Sequence, residues 1–265
     1  MDPDGRDGNS FSHPGGTDLR LCHFLHLNII LFRPAEVQLP LSRSDPRAHH
    51  LLGVLRRQPG DTFDAGLING PRGKGTIVAI EAGRVAMTFV WGAAPPTPPP
   101  LTLLVGLPRP QTARDILRDA TTLGVAALHF VRTDRGEASY AASALWQSGA
   151  WEECVINGAA QAFCTRLPEV SHGRTLAGAI PAAPAGEIRL ALDNYEAAVP
   201  LSQLAVPAGR AVVVAIGAER GWSAGERALL RERGFTFAHL GERVLRTETA
   251  CLAAITLLRA KLGLT

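Results

Sequence analysis

Apolar positions change their rhythm once along this chain. Before about residue 93 they fall in short runs broken by turn residues: LNIILF from Leu27, GDTFDAGLINGPRGKGTIVAI and AGRVAMTFVWG. Asn69-Gly70 and Gly73-Lys74-Gly75 read as turn chemistry between apolar runs. Several short strands in so little sequence predict a small β-barrel. One helix is expected at PRAHHLLGVLRR, where His50, Leu51, Val54 and Leu55 form an apolar stripe. Five prolines then fall in the eight residues from Ala93 to Pro100. That composition forbids a helix or a central strand and predicts an extended spacer.

Beyond the spacer the pattern alternates. LTLLVGL (101–107), VAALHFV (125–131), IRLALD (188–193), AVVVAIG (211–217) and FTFAHL (235–240) are continuous apolar runs. TARDILRDATTLG, an Ala-rich region from about 138 to 163, SAGERALLRERG and ETACLAAITLLRAKL carry helical spacing. Strands apolar on both faces, alternating with helices, predict an α/β unit whose mostly parallel sheet is covered on both sides. The expected organisation is a disordered tail or misplaced start over 1–26, a barrel over 27–93, a linker over 94–100 and the α/β unit over 101–265.

Composition sharpens this only a little. The chain has 265 residues, 46% of them hydrophobic, and a formal net charge of +3. That suffices for a sizeable core and permits a nucleic-acid partner without demanding one. The run Leu19–Phe32 contains Arg20, His23, His26 and Asn28, too polar and short for a bilayer. With no small-residue cleavage site after it, a cytoplasmic protein is expected. Cys22, Cys154, Cys164 and Cys251 match no metal spacing, so they are expected to be idle thiols and no metal is implied. The barrel segment carries eight Arg and Lys against five Asp and Glu. Arg43, Arg47, Arg56 and Arg57 cluster around the His49-His50 helix, either as a solvated face or as phosphate contacts.

The richest chemistry lies between Ile216 and Ala250. One strand ends at Ile216-Gly217 and is followed by Ala218-Glu219-Arg220-Gly221 and a helix beginning at Ser223, where Ser223 and Glu226 form an S-x-x-E capping box. A glycine-bearing turn at a strand's carboxyl end lets a ligand reach bare backbone. A second such turn, Leu240-Gly241, leads into Glu242-Arg243-Val244-Leu245 and then Arg246-Thr247-Glu248-Thr249-Ala250 at the start of the last helix. Gly221-Trp222-Ser223-Ala224-Gly225 also fits the G-x-S-x-G nucleophile elbow. The 42 residues after Ser223 hold no Asp and one histidine, His239 within an apolar strand, so a hydrolase triad has no partners there. Gly66–Gly75 lacks the spacing of a phosphate loop.

Taken together these segments resemble the SPOUT family of knotted, S-adenosyl-L-methionine-dependent RNA methyltransferases, in its bacterial 16S ribosomal RNA uracil-N3 branch. HHLLGVLRRQPGD resembles that branch's HL-x-x-VLR-x-x-x-GD, LPRPQTARDILRDATTLGV its Lys-bearing turn and KATELGV helix, VAIGAERGWSAGE its IGPEGGFS-x-x-E loop, and LGERVLRTETA its LG-x-R-ILRTETA segment. The resemblance implies a PUA-like RNA-binding barrel, a trefoil knot in the second unit, and a homodimer with the active site near the subunit interface. It implies cofactor contacts from Leu192, Ile216, Gly217, Ala218, Glu219, Gly221, Leu240, Gly241, Val244, Leu245, Thr247, Thr249 and Ala250. It further implies small-subunit ribosomal RNA as partner, gripped by Arg43, Arg47, Arg56, Arg57, Lys74 and Arg109. Arg246 would stabilise an anionic uracil, and Glu248 would orient Arg246 or accept the proton. The chain departs from the family pattern at Ala218 (Pro in the family), Arg220 (Gly), Thr122 (Glu), Asp119 (Lys) and Arg109 (Lys), and Ala160 and Cys164 flank Gln161 where the pattern reads EQ-x-x-R. These departures mark candidate substrate-side positions. Two alternatives stay open: a paralogue acting on another RNA site, and a non-catalytic RNA-binding or ribosome-assembly protein.

Overall fold

The computed structural model describes residues 29–180 and 187–264. The expected tail, Cys22 and the expected strand start at Leu27 lie outside them. Two sheets organise the rest. The first contains β1 (Ile30–Phe32), β2 (Leu41–Ser42), β3 (Thr62–Leu67), β4 (Arg72–Ile80) and β5 (Arg84–Trp91), in the order β1-β3-β4-β5-β2. No pairing joins β1 to β2 among the described residues, so where a small β-barrel was expected this sheet is a half-barrel. Its core is aromatic: Phe32 packs edge-on against Phe89 at 5.0 Å, and Phe89 stacks on Trp91 at 5.1 Å.

Asn69-Gly70 does turn the chain, with Asn69 at φ 58° and the Gly70 N–H donating to the Leu67 carbonyl. Gly73-Lys74-Gly75 does not; it lies inside β4. A side chain at Gly73 would strike the Val90 carbonyl at 2.1 Å, and one at Gly75 the Phe63 ring at 2.3 Å. These glycines admit close neighbours rather than bend the backbone. The expected helix at 46–57 is short: α1 (Pro46–His49) passes into one wide π turn, His50–Val54. Leu51 is buried, whereas Val54, expected on the same apolar stripe, is exposed.

The second sheet is parallel throughout. It comprises β6 (Leu101–Gly106), β7 (Ala127–Arg132), β8 (Glu169–Thr175), β9 (Ile188–Leu192), β10 (Val212–Ile216) and β11 (Thr236–Ala238), in the order β11-β9-β10-β6-β7-β8. Alternate residues face opposite sides. Leu101, Leu103, Val105, Val212 and Val214 pack with α2 (Pro110–Leu123) and α7 (Thr247–Lys261); Leu104, Val213 and Ala215 pack with α5 (Leu176–Ala179) and α6 (Ala224–Glu232). This is the two-sided covering that the uninterrupted apolar runs predicted.

The Ala-rich region is not one long helix. It divides into a 3-10 turn (Ala138–Ala142), α3 (Ala144–Gln147) and α4 (Ala150–Gln161), with Gly149 at φ 75° between the last two. β8 was not foreseen. Its sequence, EVSHGRT, is polar because it forms the sheet's edge.

α4 and the segment after it join the two sheets. The Ile29 N–H donates to the Ala160 carbonyl, and the Thr165 hydroxyl donates to the Gly70 carbonyl at 2.6 Å. Ile29, Leu31 and Ala159 share a small buried cluster. Ala160 and Cys164, expected on the substrate side, belong to this junction. Thr122 and Asp119 also fall elsewhere: the Thr122 hydroxyl donates to the Gly158 carbonyl on α4, and Asp119 pairs with Arg118. None of the described helices is long and apolar enough to cross a membrane.

Candidate active site

Every strand of a parallel sheet ends at the same edge, and the loops leaving that edge can enclose a ligand. Here they enclose a cavity of about 730 Å³ at the carboxyl ends of β6, β7, β9, β10 and β11. That is within the range of roughly 300–1,000 Å³ usual for small-molecule sites.

The turn after β10 forms one wall. Its Gly221 N–H donates to the Ala218 carbonyl at 2.8 Å, and Gly221 adopts φ 62°. The turn packs so closely on the end of β6 that a Cβ on Gly106 would lie 2.4 Å from the Ala218 nitrogen. The Glu219 carboxylate accepts the backbone N–H of Arg109 at 3.0 Å, tying the turn to the start of α2. From the β7 side, the Arg135 guanidinium donates to the Arg220 carbonyl at 3.2 Å. Trp222 is fully buried, and its indole N–H donates to the Leu192 carbonyl at 3.1 Å, bridging the tips of β10 and β9.

Next to it, Asp193 follows the last residue of β9. This buried carboxylate accepts the N–H groups of Tyr195 and Glu196 and binds the Arg227 guanidinium at 2.7 Å. Both partners are almost wholly enclosed, with side-chain exposures of 2% and 8%. The turn after β11 forms the third wall. Gly241 has φ 113°, and its N–H donates to His239 Nδ1 at 3.1 Å. The chain then runs through Val244 and Leu245 to Arg246, the N-cap of α7.

Of the residues expected to touch the cofactor, Leu192, Ile216, Gly217, Ala218, Glu219, Gly221, Leu240, Val244, Leu245, Thr247 and Ala250 line the cavity, as do Arg246, Glu248 and Arg109. Gly241 and Thr249 do not; Gly241 bends the chain and Thr249 is exposed. Arg135, Asp193, Tyr195 and Trp222 line it without having been anticipated. Their signal in the sequence was position: a polar or aromatic residue within a few places of a strand's carboxyl end.

The expected phosphate contacts fare unevenly. Arg47 is spent on structure. Its guanidinium donates to Glu36, Asp45 and the Leu31 carbonyl and lies 5.0 Å over the Phe32 ring. These bonds hold the Glu36 and Asp45 carboxyls below their usual range. Lys74 pairs with Asp64 at 2.6 Å, while Arg43 and Arg56 are exposed and Arg57 is half-buried.

The elbow-like Ser223 caps α6. Its oxygen accepts the Glu226 N–H, its hydroxyl donates to Asp134, and Glu226 closes the capping box. No histidine joins it in these bonds, as a hydrolase triad would require. Cys154, Cys164 and Cys251 are free thiols, and burial, with the nearby Glu248 charge, pushes Cys251 well above the ordinary thiol range.

A family model for an RNA methyltransferase domain matches residues 95–259, and the chain belongs to that family. Over 243 residues it is 35% identical to the ribosomal RNA small subunit methyltransferase E of Treponema pallidum (strain Nichols), which spans 88% of this chain and 91% of that protein. Among solved structures it is similar to a ribosomal RNA small subunit methyltransferase E from Neisseria gonorrhoeae bound to S-adenosyl methionine. The TM-score is 0.70 at 23% identity, over 88% of this chain and 97% of that one. A probable rRNA-methyltransferase from Porphyromonas gingivalis gives a TM-score of 0.75 at 20% identity, over 89% and 99%. Identities this low speak for the shared fold.

Proposed function

We propose that this protein methylates small-subunit ribosomal RNA, at N3 of a uridine in 16S RNA, using S-adenosyl-L-methionine. The observation that carries the reading is the convergence of two bare-backbone turns, 217–221 and 240–246, on one cavity. The name of the Treponema relative and the ligand of the Neisseria structure support it.

The cavity suits the cofactor. Leu192, Ile216, Leu240 and Leu245 offer apolar sides to a purine, and the peptide groups between Gly217 and Gly221 offer donors and acceptors without side-chain bulk at either glycine. When bound, S-adenosyl-L-methionine supplies a methyl carbon made electrophilic by its sulfonium.

The protein's own groups handle the RNA base. Uracil N3 carries a proton that must leave as the new N–C bond forms. Arg246 is exposed, and among the described residues its guanidinium has no hydrogen bond or ion pair with protein. It is available to stabilise the negative charge that develops on a uracil carbonyl oxygen. Glu248, in the first turn of α7, accepts the N3 proton or holds Arg246 in place. The positive end of the α7 dipole adds to the stabilisation of that developing charge.

The same reading extends to the architecture. The chain leaves β11 at one edge of the sheet, passes the tips of β9 and β10, and lays α7 beside α2, which follows β6. Such a crossing supports a trefoil knot. Val244 and Tyr195, 85% and 81% exposed beside the cavity, are apolar surface that a second copy would cover in a homodimer. Residues 27–93 would act as a PUA-like RNA-binding unit in the cytoplasm, with Arg43 and Arg56 on phosphates, joined by 94–100 to the methyltransferase unit.

Mass spectrometry of ribosomal RNA from cells with and without the gene tests the reaction. The expected outcome is loss of one 3-methyluridine, and an unchanged nucleoside profile refutes it. Arg246→Ala should abolish turnover while calorimetry still detects cofactor binding; near-normal turnover refutes the assigned role.

A further inference from the structure

The cavity is electrically lopsided. On the β9 and β11 side its walls are apolar or internally neutralised up to the head of α7, where Arg246 and Glu248 stand together: Leu192, Leu240, Val244 and Leu245, with Asp193 bound to Arg227. On the β6 and β7 side it carries three exposed guanidiniums, Arg109, Arg135 and Arg220. Among the described residues none of the three is paired with a carboxylate. Arg109 donates to the Thr112 hydroxyl, Arg135 to the Arg220 carbonyl, and the Arg220 side chain to no protein group. The nearby acids are engaged elsewhere. Glu219 accepts the Arg109 backbone N–H, and Glu137 accepts from Ser139.

Arg220 is also held in a defined place. Its turn is closed by the Gly221 N–H to Ala218 carbonyl bond on one side and by Arg135 on its own carbonyl. The side chain therefore projects from a rigid base and loses little backbone freedom on binding an anion. The Arg135 guanidinium rests on the backbone from which the Arg220 side chain leaves, so an anion bound at this turn is attracted by both charges. Such a cluster repels the cofactor's sulfonium, whereas RNA brings a phosphate for every nucleotide.

We propose that Arg135 and Arg220 form a phosphate clamp at the mouth of the cavity, gripping the RNA backbone beside the nucleotide to be methylated. The proposal rests on the reading of this cavity as the methyl-transfer site. It gives a role to Arg220, which departs from the glycine of the family pattern. Two guanidiniums on one phosphate set the register of the strand relative to the cavity, a task that phosphate contacts perform without reading sequence.

The test is the salt dependence of RNA binding, followed by fluorescence anisotropy with a labelled single-stranded transcript of small-subunit ribosomal RNA. For a single strand, removing one cation from a phosphate makes the slope of log K against log salt shallower by about 0.7. Arg220→Gly and Arg135→Gln should each flatten it by about that amount and weaken binding roughly threefold to tenfold at moderate salt. Arg220→Lys should keep the slope. Calorimetry with S-adenosyl-L-methionine should give affinities within about twofold of the parent, since a peripheral charge changes cofactor binding little. An unchanged slope in both neutral variants overturns the clamp. So does a loss of cofactor affinity with the slope unchanged, which would place Arg220 on the cofactor's carboxylate. Because phosphate binding is read without methyl transfer, a parent protein that binds RNA with the expected slope yet methylates none refutes the proposed function and leaves the clamp standing.

Discussion

Gly106→Ala is the sharpest probe of how the cavity is built. Gly106 ends β6 and lies beneath the turn that follows β10. An added Cβ would sit 2.4 Å from the Ala218 nitrogen, 3.0 Å from Thr133 Cγ2 and 3.1 Å from the Gly217 carbonyl carbon. Reaching even the tight separation of 3.4 Å from the nitrogen requires about 1 Å of movement. The obstacle is backbone in the turn itself, so rotamer changes cannot relieve it. Overpacking of this kind costs about 1–3 kcal/mol, which for a chain of this size lowers Tm by roughly 2–12 °C. The functional cost is of similar size in free energy, because a shift of about 1 Å in a positioning element can reduce turnover by about 100-fold. Calorimetric titration with S-adenosyl-L-methionine, a thermal melt and a turnover assay measure these effects. Gly83→Ala, where an added Cβ meets nothing within 4 Å, serves as the control and should be neutral. A Gly106→Ala protein with parental cofactor affinity and Tm would refute the claim that this turn is braced on β6.

Arg47→Ala should cost about 2–3 kcal/mol in urea unfolding, because the Glu36 and Asp45 carboxylates lose their partner, and should leave the salt slope of RNA binding unchanged. Asp193→Ala leaves the buried Arg227 with only Glu196, at 3.7 Å, and should destabilise by about 3 kcal/mol in the same assay; a loss below about 1 kcal/mol would contradict the enclosed pair. Burial lowers the folded pKa of His129, so the unfolded chain takes up the proton more readily. Stability should therefore be intact above about pH 6.5 and fall as pH drops through and below that value, and His129→Gln should flatten this part of the profile.

The α/β unit was largely legible in the chain. LTLLVGL and AVVVAIG are apolar at consecutive positions and too short for most helices, as a strand covered on both faces requires. The turns at Gly217–Gly221 and Leu240–Gly241 were legible for a related reason: glycine beside a strand end followed by a helix cap has few other uses. The edge strand EVSHGRT was not, because a strand with one open side needs no apolar run. Gly73 and Gly75 misled, since glycine serves both turns and close approaches and the sequence around it does not say which. Arg47 looked like a phosphate ligand, yet Glu36, eleven residues earlier, occupies its guanidinium in the folded chain.

By itself, then, the sequence determined the alternation of strands and helices, the glycine turns and the start of the last helix at Arg246. These follow from local periodicity and backbone chemistry, which act over a few residues. The tertiary structure decided the strand order that sets those turns on either side of β9, the bracing of Ala218 by Gly106, and the choice of which cations are consumed and which stay open. Those outcomes depend on distances between residues up to 112 positions apart, Gly106 and Ala218 among them, and only the folded chain brings them into contact.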